Sequence, residues 1–510
     1  MPKQLLFLND FSGGLNNRFR QNRIADNESA ALRNARWTRL GALTKRFGTA
    51  RNVVNVSGLS GLVSLFSYRL DTMTAEQMLI SDGDQYVRTT SLGNYNNVVT
   101  GMTDTFSPEF LAFNGLIYIN NGRDTVRTLD ASNNASTDSN HPIARYHIVH
   151  KNRIFTWNQD SGSLPSRLQW SDAGVATWIS TNFEDVYPND GGGGTGIVSM
   201  GDELILFKGP STINDVTANP SYINSKMFRV LGDVFNASSP QYIIEPISLP
   251  PSVGLLGHRT AKLFKGGLIF ATSDGFYFYE GGGRQPYNIS ESIRGEVQNW
   301  ELSDIQNQAR KPAAVVWKNR YHCSLYNDGD SADGYCNRVY IYDEGKWFVD
   351  VLSEGADDFQ AGSGSGVDWV IFNNTLFSAG ANTNVLREWD TSLESSFTDT
   401  QDNGTAENVN FSYLTKELDF GKEVHITHCY IYLRRQSSGT LTFEFNNDQR
   451  GAVSTSVDMT APDSGTTENA SSNVLKKEVL VDRRCRTIQF RLFDRGANDC
   501  EIYAIEVIGE

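Results

Sequence analysis

The sequence predicts an all-β protein: a β-propeller of six to eight blades with an extended N-terminal arm before it and a β-sandwich after it. The first observation is a repeated unit, in which a large residue precedes a short polar or Gly turn and a β-branched or aromatic run, as in Phe113-Asn114-Gly115-Leu116-Ile117-Tyr118. It returns at residues 150–157, 200–207, 264–271, 317–324 and 372–377, and turns of this kind close β-hairpins. The second is spacing. Between the turn residues Asn114, Lys151, Gly201, Lys265, Lys318 and Asn373 the intervals are 37, 50, 64, 53 and 55, and a propeller blade of about four strands needs a period of about 40 to 50 with room for insertions. The third is strict alternation near the C-terminus, as in His425-Ile426-Thr427-His428-Cys429-Tyr430-Ile431. Period two over several strands means one buried and one wet face, which a sandwich provides.

These observations divide the chain into an arm at 1–55, a propeller at 56–392, a linker at 393–408 and a sandwich at 409–510. In the arm, Asp26 or Asn27 is a good N-cap and Glu28 suits a first turn, so a short helix is expected over Ser29 to Ala35. The first 51 residues carry ten Lys or Arg against three Asp or Glu, +7, and the whole chain is −14, which leaves −21 for the remainder. An acidic body disfavours binding that works by neutralising phosphates, and suits a surface that DNA slides past. The basic arm reads either as a strap that completes the propeller or packs beneath it, or as an arm that touches a neighbouring subunit; on the second reading deletion of residues 1–51 is expected to abolish incorporation and leave the propeller folded.

The apolar run Leu5 to Leu8 is too short for a signal peptide or a membrane span, so assembly in the cytoplasm is expected. Five sparse cysteines, an odd number, argue against a disulfide framework.

Seven candidate repeats fill residues 62–390. The glycines at 191–194 and the run 362–366 read as flexible connectors, and neither precedes the Lys-Ser/Thr of a phosphate loop. Trp157, Trp170, Trp178, Trp317, Trp347 and Trp389 recur at comparable places, as packing between blades would require. His322-Cys323 with Cys336, and His425 with His428, lie on predicted strands without the spacing of a zinc site. The acidic loop at 328–334 lacks the spacing of a calcium loop and its distal Glu. Asp172, Asp274, Glu280 and Asp343 are candidate acids, but nothing pairs two of them as a glycosidase needs. No catalytic, cofactor-binding or metal-binding residue is therefore expected.

The N-terminus carries a resemblance. Phe11, Gly13, Gly14, Leu15 and Asn16, then Asn27, Glu28, Leu32, Arg33 and Asn34, then Gly41, Leu43, Lys45, Arg46 and Gly48 form a pattern that resembles the start of propeller-type tail proteins of tailed bacteriophages. Short-tailed phages use such proteins as the tail nozzle or hub. The resemblance covers about the first tenth of the chain. It implies a virion structural protein: a homo-hexameric ring around the DNA exit channel, docked on a tail adaptor, neighbouring fibres or a tip, and transiently touching genomic DNA. The interface residues expected on this reading are Phe11, Gly13, Gly14, Arg18, Arg20, Arg23, Arg33 and Arg36. The segment from Trp170 to Trp178 resembles both phage propellers and the Asp-box turn of sialidases, although Trp178 follows Asp172 by six residues where the Asp-box has five. A carbohydrate-binding or glycosidase-type tail propeller is the alternative.

Overall fold

Two adjacent residues at positive φ make the type I′ turn, whose twist matches that of a right-handed hairpin. Asn114 and Gly115 have φ of 49° and 76°, Lys151 and Asn152 46° and 61°, Lys265 and Gly266 46° and 84°, Lys318 and Asn319 45° and 63°, Asn373 and Asn374 47° and 61°. The repeated unit is thus a hairpin corner, and each copy joins the first two strands of a propeller blade.

The protein is seen here in a computed structural model. It describes residues 3–38, 41–59, 61–103, 107–159, 163–190, 192–209, 225–232, 242–250, 253–300, 312–327, 338–351, 368–380, 384–389, 396–400, 406–448, 451–463 and 472–510. Among these residues, seven four-stranded antiparallel sheets form the blades. Blade 1 runs from Ser64–Tyr68 to Asn96–Val99, blade 2 from Glu109–Phe113 to Ala135–Asp138, and blade 3 from Ala144–His150 to Trp178–Asp185. Blade 4 runs from Gly193–Met200 to Tyr242–Ile247, blade 5 from Lys262–Phe264 to Tyr287–Asn288, and blade 6 from Ala313–Trp317 to Lys346–Val351. Blade 7 takes three strands, Trp369–Phe372, Thr375–Ala379 and Val385–Trp389, from one end of the propeller. Its fourth, Thr49–Val53, comes from the N-terminal segment.

Apolar side chains fill the spaces between blades. Phe155, Trp157 and Trp170 of blade 3 pack with Ile197, Leu206 and Phe228 of blade 4. The tryptophans serve here as expected, with Trp157 and Trp347 both fully buried.

Six C-terminal strands and four from the arm form one ten-stranded sheet, rolled into a nearly closed, barrel-like shape. Its long strand Val474–Asp494 pairs with Leu418–Arg434, Phe411–Leu414 and Thr440–Asn447. The predicted alternation lies on this sheet: Cys429, Ile431, Leu433, Phe443, Phe445, Phe490 and Leu492 face inward and are buried. The arm is woven into the same sheet. Lys3–Leu8 and Leu43–Lys45 pair with Glu501–Gly509, and Ala31–Arg33 pairs with Phe411–Leu414.

Three expectations are corrected. The helix over Ser29 to Ala35 is not formed: Glu28–Ser29, Ala31–Arg33 and Ala35–Trp37 are short strands, because each finds a sheet partner, in Gly14–Leu15, Phe411–Leu414 and Leu43–Lys45, and this pairing outweighs a weak helical preference. Gly193 and Gly194 are not in a flexible connector but open the first strand of blade 4. A Cβ on Gly194 would stand 2.2 Å from Nε1 of Trp157, so the glycine makes room for that indole. Nor can residues 1–51 be removed without harm, since they hold part of the strand that closes blade 7 and four strands or strand pieces of the other sheet. Within the expected linker, Thr398–Thr400 and Ala406–Asn408 pair as a small hairpin. The acidic loop at 328–334 with Cys336, and the glycine run 362–366, lie outside the described residues.

That hairpin carries Asp399 to the point where arm, propeller and C-terminal sheet meet. Its carboxylate accepts from Arg46 Nη1 at 2.9 Å and from the Thr49 N–H and hydroxyl at 3.0 Å each. Arg46 also donates to the Asn34 side chain at 2.8 Å and the Val351 carbonyl at 3.0 Å. Both ions are almost wholly out of water, at 3% and 1% exposure. Removing one member leaves the other charged and buried, so Asp399→Ala is expected to destabilise the chain by about 3–5 kcal/mol. The paired change Arg46→Met with Asp399→Ala should recover part of that loss in urea denaturation.

Candidate functional site

The family-like residues of the arm form internal ties. Phe11 is buried edge-on against Tyr413, ring centroids 5.5 Å apart. The Gly13 N–H donates to the Asn27 carbonyl at 3.0 Å. Gly14 has φ +74°, and a Cβ there would meet the Trp347 carbonyl oxygen at 2.9 Å, so only glycine lets the arm lie this close to blade 6. Asn16 donates to Glu28 at 2.8 Å, and Asn34 bridges the Asn410 carbonyl (2.7 Å) and the Val351 N–H (2.8 Å). Lys45 is buried on Asp494 at 3.0 Å. Arg36 donates from Nη1 to Asp350 at 2.7 Å, and Arg33 is half-buried on Ala31–Arg33. Of the eight expected interface residues, Phe11, Gly13, Gly14, Arg33 and Arg36 are therefore tied into the body of the chain, and Arg18 reaches Glu291 from an exposed position.

Arg18, Arg20 and Arg23 are different. They lie with Phe19 on a run, residues 18–23, that is exposed throughout. Its base is fixed on both modules. The Asn17 N–H donates to the Ser292 carbonyl at 2.8 Å and its side chain accepts from the Gly295 N–H at 2.9 Å, while the Glu417 N–H donates to the Gln21 carbonyl at 3.0 Å. Ile24 is buried behind it. The Arg18 guanidinium lies 5.0 Å from the centre of the Phe19 ring and pairs with Glu291 at 3.4 Å. The result is a basic hook with an exposed aromatic at its tip, held in place at the junction of propeller and C-terminal sheet.

A second polar site, which the sequence did not single out, lies on the propeller axis. The 3-10 turn His258–Thr260 enters blade 5 and sends Arg259 across the ring. Arg259 donates to the Val63 carbonyl (2.8 Å), Ser64 Oγ (2.8 Å) and the Pro108 carbonyl (2.6 Å), and its ion pairs are Asp368 at 3.1 Å and Glu109 at 3.4 Å. One side chain from blade 5 thus reaches blades 1, 2 and 7. Asp368 in turn accepts from the Leu65 N–H at 2.8 Å. Lys262 and Arg145 flank the cluster, and burial lowers the pKa of each. A signal was present: charged residues stand at or just before the apolar runs that open several repeats, at Glu109, Arg259 and Asp368. Without knowing the blade order, nothing brought the three together.

Three of the candidate acids are held in ion pairs. Asp274 pairs with Arg294 at 2.6 Å, Glu280 with Arg284 at 3.0 Å and Asp343 with Arg320 at 2.6 Å. Asp274 and Glu280 flank the strand Gly275–Tyr279, which at about 3.3 Å per residue separates them by about 20 Å. A glycosidase pair needs about 5–10 Å. Asp172 begins the turn before Trp178–Asp185, its N–H donating to the Thr177 carbonyl at 2.8 Å. His322 and Cys323 are buried in blade 6, while His425 and His428 face Asp482 and Glu478 on the surface of the C-terminal sheet. Among the described residues, no three His, Cys, Asp or Glu side chains converge as a metal site would require, and the four described cysteines are buried and form no disulfide with one another. Among them also, no helix is long and apolar enough to cross a membrane.

No protein-family model matches the chain, and no curated protein is similar to it. Similar solved structures include the computationally designed Ika8 protein, 9% identical with a TM-score of 0.37, covering 76% of this chain and 100% of that one. The extracellular domain of a putative hybrid two-component system from B. thetaiotaomicron is 9% identical with a TM-score of 0.44, covering 82% of this chain and 48% of its own. An exo-β-1,3-galactanase from Phanerochaete chrysosporium is 10% identical with a TM-score of 0.26, covering 90% and 100%. Likenesses this distant carry no functional argument.

The axis suggests two measurements. Arg259→Met would strand Glu109 and Asp368 without their cation, and is expected to lower stability by about 3–5 kcal/mol in urea denaturation. Burial also holds five histidines neutral: His141, His150 and His258 are pushed down to about 4, and His147 and His322 to about 3. Between pH 6.5 and those values the unfolded chain binds protons that the folded chain refuses. Stability should therefore hold above pH 7 and fall between about pH 6.5 and 4, by about 1.4 kcal/mol per pH unit for each histidine. His322→Leu should reduce that slope by one such increment.

Proposed function

We propose that the chain is a structural protein of a bacteriophage virion, the nozzle or hub of a short tail, in which copies form a ring around the DNA exit channel. The observation that carries this reading is the N-terminal segment from Phe11 to Gly48, whose residues resemble those of such tail proteins and here tie a seven-bladed propeller to a second sheet. The ring, a hexamer on the resemblance, docks on a tail adaptor at one end and neighbours fibres or a tip at the other. It is assembled in the host cytoplasm, retains the genome, and passes it during ejection.

Two further observations support the reading. Arg259 crosses the propeller's own axis, so a passage for DNA would lie between copies and not through a single propeller. Outside the first 51 residues the chain is strongly acidic, and a channel of that sign repels the DNA backbone and lets it move without sticking. No observation favours the carbohydrate reading, since its candidate acids are dispersed and most are already in ion pairs.

Cryo-electron microscopy of the intact particle tests the proposal. The expected result is several copies of this propeller arranged around the tail axis below the adaptor. A monomer placed away from that axis would overturn it.

A further inference from the structure

Arg153 is the odd member of an apolar seam. Arg153, Phe155 and Trp157 alternate along Arg153–Gln159 and so share one face of blade 3. That face is turned to blade 4, where Phe155 and Trp157 pack with Leu206 and Phe228. Arg153 is 0% exposed there. Its Nη1 donates to the Ser171 carbonyl at 2.7 Å, while Nε and Nη2 are shielded from water with no hydrogen-bond partner among the described residues. Among those residues also, no carboxylate lies within ion-pair reach of it, whereas buried Arg46 and Arg338 each have one, in Asp399 and Glu296.

Two more donors stand in the same seam. Tyr242 of blade 4 packs across it onto Trp170 and Phe155, with ring centroids 4.7 Å and 5.4 Å apart. The Tyr242 hydroxyl and the Trp170 indole N–H are both buried, again with no partner among the described residues. Register places them beside Arg153. Trp170 lies opposite Phe155, two residues along from Arg153, and is next to Ser171, whose carbonyl Arg153 reaches. Tyr242 lies opposite Gly232, whose carbonyl accepts at 3.2 Å from Lys151, two residues before Arg153. Burial pushes the Tyr242 phenol up to about 12, against the pull of the Arg153 charge.

The guanidinium and indole groups can only donate, and the hydroxyl is free to. Buried donors are almost always satisfied, and a guanidinium taken out of water needs opposite charge as well. Water would answer the donors and leave the charge; an anion answers both. Full burial behind aromatic rings admits a small ion and excludes a phosphate or a peptide carboxylate. We propose that the seam between blades 3 and 4 binds one small monovalent inorganic anion, chloride being the common one, held by Arg153 Nε and Nη2, the Tyr242 hydroxyl and the Trp170 indole N–H. These ligands come from three strands, Arg153–Gln159, Leu164–Ser171 and Tyr242–Ile247, so the ion is taken up as the two blades pack and ties them together. It serves the propeller whatever the propeller's place in a particle.

The full chain is melted in chloride and in gluconate, an anion too large for the seam, at one ionic strength. An ion that binds only the folded chain raises the melting temperature with its concentration, so a rise is expected in chloride and none in gluconate. Tyr242→Phe keeps the ring and removes one donor to the ion, and should need about tenfold more chloride for the same rise. Arg153→Met should abolish the chloride-specific rise; should that variant fail to fold, the Tyr242→Phe shift decides. Crystals grown in bromide should show an anomalous peak within hydrogen-bond distance of Arg153 Nε and Nη2. Equal melting in the two salts would overturn the proposal, as would a chloride response that both folded variants retain unchanged. So would a seam that holds ordered water and no bromide, or bromide found only beside exposed arginines such as Arg20, which would be an adventitious ion only.

Discussion

A propeller is a ring made from a linear chain, and this one closes only when Thr49–Val53 joins Val385–Trp389. The closing strand is gripped at both ends. Before it, Arg46 and the Thr49 backbone share Asp399; after it, the Val54 N–H donates to the Asn384 carbonyl at 2.8 Å. These partners are more than 300 positions apart in sequence, so closure comes at a large loss of chain entropy and belongs to the slow, non-local part of folding. The same segment continues into the C-terminal sheet. Neither module is completed by contiguous sequence, and the N-terminal fifty or so residues belong to both.

This explains why propeller and hairpin corners were legible in the sequence, and a strap that completes the propeller was one of the two readings of the arm, while the arm's local structure was misread. A type I′ corner is encoded locally: Asn-Gly, Lys-Asn or Asn-Asn followed by an apolar run requires no knowledge of what packs where. The arm's structure is dictated from far away. Ala30, Ala31, Leu32 and Ala35 suit a helix in isolation, yet Ala31–Arg33 lies on Phe411–Leu414 and Ala35–Trp37 on Leu43–Lys45. Asn34, at φ 53° and 2% exposed, turns the chain between the two strands, and its side chain makes bonds that no helix would have left available. Gly194 was misread for a related reason. A glycine in a Gly-rich run looks like a joint, and here it is the space that Trp157 fills.

The axis was illegible for a geometric reason. Glu109, Arg259 and Asp368 each stand near the start of an inner strand, where the radius of the ring is smallest. Residues from blades on opposite sides meet there because the ring is narrow, and not because anything in the local sequence directs them together. A buried arginine with two carboxylates and three neutral acceptors has its donors well matched, which is the condition under which a buried ion cluster holds its place. The cluster ties blades 1, 2, 5 and 7 to one another.

By charge count the arm stands at +7, and the structure changes what that number means. Lys45 faces Asp494, Arg46 faces Asp399 and Arg36 faces Asp350, each inside the molecule. A buried ion pair is nearly a dipole, and its field outside the protein decays quickly; an exposed arginine acts across about a Debye length, roughly 8 Å at physiological salt. Among the described residues, Arg18, Arg20 and Arg23 are the arginines of the arm that stand exposed, on six residues with one exposed ring. Such a small, rigid, positive feature on a largely acidic molecule discriminates by orientation. Its orientation is set by its base, where Asn17 is bonded to Ser292 and Gly295 and the Gln21 carbonyl accepts from the Glu417 N–H, so the arginines are held together without a further ordering cost.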